Sequence, residues 1–367
     1  MQRFAIRTIY GLYNYGNRLQ NYALQQIMCS ALSSGSTLIE NPQSISPVKR
    51  LAKMFLKKEK GKILLKTCKD FQKEKADKNR KNNFLSFTEQ HIAPRHIPDS
   101  QLTSFSEHSL DFLIAGSDQV WNPLFWSRKD PMPEFNRYLL TFTPPSKRIA
   151  YAASFGIPKL PVEWEDKFAV ELAKFKAISV REESGAQIIK KLIGKDVPVV
   201  LDPTLLLTAQ EWRKIETHTL SAGKKYILTY FLGPQSETVH TEVKKKAGEL
   251  GAEIIEMMDW RSPYYVLGPD GFLEMLDHAQ AVFTDSFHGT VFCILFHKPF
   301  YVYQRYENDG SDANMFSRID TLLSKTGLTQ CVAEHRPPTE EEFAHADKLL
   351  EKEREYSLQF LRDSLQE

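Results

Sequence analysis

The chain has 367 residues, long for one hydrophobic core, so two domains are expected. Its 48 basic and 46 acidic side chains nearly cancel but are unevenly spread; the basic excess lacks interleaved aromatics on a sheet and the rest of the chain is slightly acidic, so no nucleic-acid partner is expected. No window approaches the roughly 18 uncharged apolar residues of a membrane-spanning helix. Cys29, Cys68, Cys293 and Cys331 form no CxxC pair, so neither a zinc site nor a disulfide framework is indicated.

The amino terminus reads as a first strand over residues 4–9. Its short apolar run is broken by Arg7 and lacks a signal-peptide core, so a cytoplasmic location is expected. Asn14-Tyr15-Gly16-Asn17 is a turn, after which Leu19, Tyr22, Ala23, Gln26 and Ile27 recur at helical spacing. Gly16 and Asn17 lie where backbone comes close to a ligand or simply turns. The bend lacks GxGxxG, so dinucleotide binding is not indicated.

Residues 49–82 hold fourteen Lys or Arg and four acids, a net charge of +10. Leu51, Met54, Phe55, Ile63, Leu64, Leu65 and Phe71 are interleaved. Part of this reads as a basic amphipathic helix for an anionic membrane surface, where each basic residue contributes about 1 kcal/mol. A solvated helical hairpin is the competing expectation.

Residues 111–118 form a buried strand that delivers Gly116, Ser117 and Asp118 to its carboxyl end, the ligand side of an open α/β sheet. There Asp118 can orient a hydroxyl or act as a base, and Trp121 can stack on a sugar face. Alternatively, Ser117 and Asp118 cap the next helix and Trp121 is core. A strand and turn follow at 149–156, a helix at 165–176 and a strand at 177–184. Arg181 therefore falls at a strand end, where its guanidinium suits bidentate capture of an anion or an ion pair with Glu182 or Glu183. Asp202-Pro203 makes an extended or turn dipeptide.

The domain boundary is expected near 205–222. Strands at 226–231 and 252–256 alternate with helices at 238–250 and 272–278, which implies a parallel sheet. Residues 281–300 read AVFTDSFHGTVFCILFHKPF: a buried strand, a polar turn, then an apolar helix stopped near Lys298-Pro299. His288 sits on that turn, beside Gly289. A helix N-terminus there suits phosphate or carboxylate, so His288 is placed for acid/base work on an anion. The alternative is a histidine capping its own loop. After a strand at 300–303, Arg305 is the stronger candidate cation and Arg318 a further one. Residues 339–366 form a long charged helix.

TDSFHGTVFCILFHKPF and GSDQVWNP (116–123), with NYGNRLQNYALQ (14–25) and VLDPTLLL (200–207), together resemble the polysaccharide pyruvyl transferase family. The likeness runs over roughly residues 5–325. It implies an α/β chain of two Rossmann-like domains with mostly parallel sheets, GT-B-like, and a ligand cleft between them. The expected division is an N-terminal domain over 1–210 with a basic insertion at about 45–85. A C-terminal domain follows over 211–345, and a helix over 346–367 packs back on the first domain.

The resemblance also implies transfer from phosphoenolpyruvate, a co-substrate, onto two hydroxyls of one sugar, giving a cyclic ketal and phosphate. No cofactor and no metal is expected. The implied catalytic residues are His288, Asp118 and Asp285, and the implied donor-binding residues are Arg181, Arg305, Ser286, Gly289 and Thr290. Gly16, Asn17, Ser117, Trp121 and Asn122 are the implied acceptor-binding set. The sugar acceptor can be polyprenyl-diphosphate-linked, with segment 49–82 on an anionic membrane surface. Many members read Ser-Arg-Leu-His-Gly where this chain has Asp285-Ser286-Phe287-His288-Gly289. The motif's arginine is thus missing or relocated to Arg305. Two other readings remain open: a GT-B glycosyltransferase using a nucleotide sugar, and a catalytically silent polysaccharide-binding protein.

Overall fold

The computed structural model describes residues 2–31, 34–39, 56–59, 62–65, 67–127, 129–221, 223–305 and 316–366. One sheet is built from β1 (Arg3–Arg7) and β2 (Ser34–Ile39) early in the chain. A separate antiparallel hairpin, β3 (Leu56–Glu59) and β4 (Lys62–Leu65), interrupts it. The sheet resumes with β5 (Arg95–His96), β6 (Phe112–Ala115), β7 (Arg148–Ala153) and β8 (Ala177–Val180), in spatial order β5-β2-β1-β6-β7-β8. A second sheet holds β9 (Tyr226–Tyr230), β10 (Glu253–Glu256), β11 (Ala281–Thr284) and β12 (Phe300–Val302), in order β10-β9-β11-β12. All pairings within these two sheets are parallel.

The α/β class with two Rossmann-like sheets is therefore as the sequence implied. Parallel strands covered on both faces read as unbroken apolar runs. Phe112-Leu113-Ile114-Ala115 and Ala281-Val282-Phe283-Thr284 do so, and every residue in both is buried. Strand order reverses between β1 and β6 in the first sheet and between β9 and β11 in the second. Side chains and turns at the carboxyl ends of such strands line a ligand crevice.

Strands β2 and β5 were not expected. The basic segment also differs from expectation. Its described part is the β3–β4 hairpin followed by the helix Cys68–Phe87, capped by reciprocal bonds between Thr67 and Asp70. Residues 49–55, 60, 61 and 66 lie outside the described residues. The helix buries Arg80, Phe84 and Phe87. The Arg80 guanidinium lies 4.4 Å from the Tyr15 ring, and its Nη1 donates to the Tyr15 hydroxyl at 2.7 Å. Tyr15 in turn stacks on Phe272 at 4.2 Å, from the helix Pro269–Asp277. These contacts join the first sheet's helix Tyr15–Ala31 to the second sheet's helices, and one apolar core runs through both halves.

The last helix, Glu340–Ser364, also spans the halves. Phe343 packs against His297 and Phe300 near its start. Further along, Arg354 Nε donates to the Leu205 carbonyl at 2.6 Å, and the Leu201 N–H donates to Ser357 Oγ at 3.0 Å. Leu350 lies between these contacts with none of its surface exposed. Leu350→Ala should therefore destabilise the chain by about 2–5 kcal/mol through lost burial and a residual cavity. Urea unfolding checks this, and a loss below about 1 kcal/mol would mean that the helix end is not packed as described.

Candidate active site

The two reversal points face one another across a cavity of about 180 Å³. Ile9, Asn14, Asn17, Asp118 and Gln119 line it from the first half, and Leu232, Ser286, Phe287, His288 and Arg305 from the second. Arg318, on the helix Phe316–Thr326, closes it.

His288 occupies the first turn of the helix Phe287–Leu295, where the aligned peptide dipoles leave a partial positive charge. Ser286 starts this helix by accepting the Gly289 N–H on its Oγ at 3.3 Å. His288 is buried, and its Nε2 has no hydrogen-bond partner among the described residues. The nearest carboxylate oxygen, Asp202 Oδ2, is 3.7 Å away, an ion-pair separation rather than a hydrogen bond. Across the cleft, Gly16 accommodates the imidazole. A Cβ there would stand 2.0 Å from His288 Nδ1.

Below the cavity lies a buried ionic triad. Arg181 Nη1 donates to Asp202 Oδ2 at 2.6 Å, and its Nη2 donates to Asp118 Oδ1 at 3.0 Å. The guanidinium also sits 4.7 Å from the centre of the Phe287 ring. Burial opposes ionisation of all three groups, but their mutual attraction prevails. Asp118 is held below the usual carboxylate range by Arg181, His288 and Arg318. Asp202 is held well below it by His288, Arg181 and the Thr204 hydroxyl, and Arg181 is raised by the two aspartates.

The Asp118 backbone is in the left-handed region at φ 66°, and the preceding Gly116 has φ 122°. A side chain at Gly116 would meet the Tyr151 carbonyl at 2.2 Å, so only glycine lets the strand end turn here. Asn17 Nδ2 donates to Asp118 Oδ2. Gln20 ties the same turn to β1 by donating to Thr8 Oγ1 and accepting the Ser117 N–H.

On the opposite wall Asp285 accepts the Leu232 and Gly233 N–H groups at 2.7 and 2.9 Å and Arg305 Nε at 3.1 Å. Arg318 is buried, and its pKa is brought down to about 10 by that burial and by the charge of Arg181.

The structure thus gathers Asn17, Asp118, Ser286, His288 and Arg305 at one cavity, with Gly16 packed against His288. It separates others. Arg181 lies under the cavity with both terminal nitrogens on carboxylates, so it cannot clamp a donor directly. Trp121 is fully buried among Phe155 and Phe175 and donates its Nε1 to the Tyr138 carbonyl, so no sugar face can reach it. Ser117 is buried, with its hydroxyl on the Ala152 carbonyl. Asn122 accepts the Leu124 N–H and donates to Gln119, capping a turn. Thr290 is buried and bonds back to the Ser286 carbonyl, while a side chain at Gly289 would strike Thr284 Oγ1. Asp285 is committed to three donors and serves as a clamp rather than a base.

Two residues gained weight. Asp202 had read only as a turn before proline, although VLDPTLLL was itself among the telling stretches. Arg318 had ranked behind Arg305. Among the described residues, the one cluster of histidine and carboxylate atoms close enough to share a cation is elsewhere, at Glu216, Asp277 and His278.

One family model and a set of solved structures are similar to this chain. The family model described as polysaccharide pyruvyl transferase matches residues 14–305. No curated protein matches the chain. Among solved structures, the UDP-GlcNAc 2-epimerase from Neisseria meningitidis bound to UDP-GlcNAc aligns over 100% of this chain and 99% of its own, with 8% identity and a TM-score of 0.46. A putative UDP-N-acetylglucosamine 2-epimerase from Listeria monocytogenes aligns over 95% and 91%, with 7% identity and a TM-score of 0.43. The E. coli ADP-heptose lps heptosyltransferase II aligns over 96% and 99%, with 9% identity and a TM-score of 0.34.

The triad makes a prediction about stability. Asp202→Asn removes the carboxylate that accepts from Arg181 Nη1 and the Thr204 hydroxyl, which should cost about 1.5–3 kcal/mol at pH 7. A carboxylate with a depressed folded pKa stabilises fully above its unfolded value, about 3.9, and loses that contribution as pH falls through the folded value. The gap between wild type and variant should therefore narrow below about pH 4. Urea titrations at pH 7 and pH 3.5 check it, and a gap that widens in acid would rule out an ionised Asp202.

Proposed function

Since the chain belongs to the polysaccharide pyruvyl transferase family, we propose that it forms a cyclic pyruvate ketal on a sugar of a surface polysaccharide or its lipid-linked precursor, with phosphoenolpyruvate as donor. The observation that carries this reading is His288, which lines a small cavity with Arg305 and Arg318 and whose Nε2 has no hydrogen-bond partner among the described residues. Drug-sized ligands occupy roughly 300–1,000 Å³. A cavity of about 180 Å³ suits a compact dianion or trianion better than a nucleotide sugar.

The chemistry follows from those groups. Arg305, Arg318 and the helix N-terminus hold the donor's phosphate and carboxylate. His288 in its protonated form delivers a proton from Nε2 to the methylene carbon of the donor. The adjacent carbon gains oxocarbenium character and takes the first sugar hydroxyl, which gives up its proton. The carbon–oxygen bond to phosphate then breaks, the second hydroxyl adds to the same carbon, and its proton leaves. One proton enters at carbon and two leave the hydroxyls; the departing phosphate accepts one and the other restores protonated His288, so the exchange balances. Asp118 is a weak base in this account because its carboxylate is held on Arg181 and Asn17. It orients Asn17 toward the cavity, and the phosphate group, whose second pKa lies near about 6, takes the hydroxyl proton.

Phosphoenolpyruvate should raise the melting point of the protein, while UDP, GDP and their sugars should not. His288→Gln should retain that stabilisation and lose about 10²–10⁴ in turnover. Stabilisation by a nucleotide sugar alone would overturn the donor assignment. Unchanged acceptor binding together with no turnover by wild type would point to a silent binding protein.

We also propose that the acceptor is presented at an anionic membrane. No described helix is long and apolar enough to cross a membrane. The helix Cys68–Phe87 nevertheless exposes Lys69, Lys73, Lys75, Lys78 and Lys81 while its apolar residues Phe84 and Phe87 face the protein. Attraction there is electrostatic and screened by salt. The protein should float with liposomes containing anionic lipid at low salt and not with neutral ones. Equal behaviour on both would remove the idea.

A further inference from the structure

Away from the cavity, residues 214–221 lead from the first sheet toward the second and lie against the helix Pro269–Asp277. Two acids meet there in contrasting states. Glu274 is fully engaged: its oxygens accept the Thr219, Leu220 and Ser221 N–H groups at 3.1, 2.6 and 2.9 Å, along with two hydroxyls. Glu216 is not. Its side chain is 1% exposed, yet its Oε1 has no hydrogen-bond partner among the described residues. A buried carboxylate oxygen without a partner is costly, and the pairing that relieves it is normally a cation or a donor.

The groups around Glu216 suit a metal. Its Oε2 lies 3.9 Å from His218 Nδ1 and 4.0 Å from His278 Nε2. One ligand atom each from Glu216, Asp277 and His278 falls within 4.8 Å of the others. Both histidines are about half-exposed, so the buried acids open to solvent through two imidazoles. Zinc binds such ligands at about 2.0–2.2 Å, which sets ligand atoms roughly 3.3–3.6 Å apart in a tetrahedron. The two glutamate–histidine separations exceed that spacing by about half an ångström, while the three-residue cluster spans up to 4.8 Å, so its widest pair closes by about 1 Å and His218 swings in from outside it. Two carboxylates with two imidazoles favour zinc or a neighbouring transition metal over the oxygen-seeking calcium and magnesium. Asp277 is also held by Arg213, at 2.6 and 2.9 Å, with Lys298 at 3.8 Å. These cations fix the carboxylate's orientation, and their charge reaches Glu216 without a hydrogen bond to its Oε1.

We propose that Glu216, His278 and Asp277, completed by His218, form a binding site for one divalent cation of the zinc class. A cation there fastens residues 216–218 to the carboxyl end of the helix Pro269–Asp277. It does not depend on the reaction assigned above, because none of its ligands lines the active-site cavity.

The full chain, stripped with EDTA and titrated with zinc chloride by calorimetry, should bind one equivalent with a saturable rise in melting point. Cobalt(II) should give the visible absorption of a tetrahedral site. His278→Ala alters an exposed side chain and should fold normally, yet weaken zinc at least tenfold. Glu216→Gln should do the same, while His108→Ala, at an exposed position elsewhere, should change nothing. Absence of a stoichiometric site, or equal zinc affinity in wild type and both ligand variants, would overturn the proposal.

Discussion

The placement of the active-site cavity depends on one buried guanidinium. Arg181 leaves the end of β8 and meets Asp118 from the end of β6 and Asp202 from the following turn. Three charges in a dry interior are a poor source of net stability, because desolvation offsets most of their attraction. Their value is geometric. A guanidinium with two oriented donors accepts carboxylates only at set positions, so the strand ends are held in one relative arrangement. The same arrangement puts the Asp202 oxygen that Arg181 holds, Oδ2, 3.7 Å from His288 Nε2, and it holds Asp118 in a left-handed backbone turn that Gly116, two residues earlier, makes room for.

Topology then converts this local order into a cleft. Each parallel sheet reverses its strand order once, and each reversal opens a crevice at the carboxyl edge. Tyr15, stacked between Phe84 and Phe272, brings the two crevices together. Gly16 follows Tyr15 directly, and its missing side chain is what lets the His288 ring approach from the other half. The glycine that the sequence placed near a ligand is thus needed for contact with His288.

What could be read in the sequence was local. A buried run, a polar turn and an apolar helix are consecutive in 281–295, so the position of His288 at a helix start followed from spacing alone. The carboxyl end of β6 was legible for the same reason. What could not be read was decided by partners distant in sequence. Arg181, Arg305 and Arg318 look alike as arginines near strand or helix ends. They differ in which carboxylate meets them, and Asp202 and Asp285 become visible as partners only when the chain is folded. Trp121 suits a sugar platform and a core equally well until Phe155 and Phe175 close over it. The basic segment misled because its charge pattern hid a hairpin, and because Arg80 turned inward to the Tyr15 ring.

The cavity's charges also bear on how its acid is supplied. Arg181, Arg305 and Arg318 stand against Asp118, Asp202 and Asp285, and the charge of Glu182 also reaches Arg181 and Arg318. A donor carrying phosphate and carboxylate adds two or three negative charges next to the imidazole. A neighbouring anion favours the charged form of a histidine, and this linkage is reciprocal: the protonated ring binds the anion more tightly by the same factor. In the reaction proposed above, the donor's charge and the ring's proton therefore support one another. Asp202 Oδ2 stands 3.7 Å from Nε2, too far for a hydrogen bond, so the carboxylate faces the ring without fixing its proton.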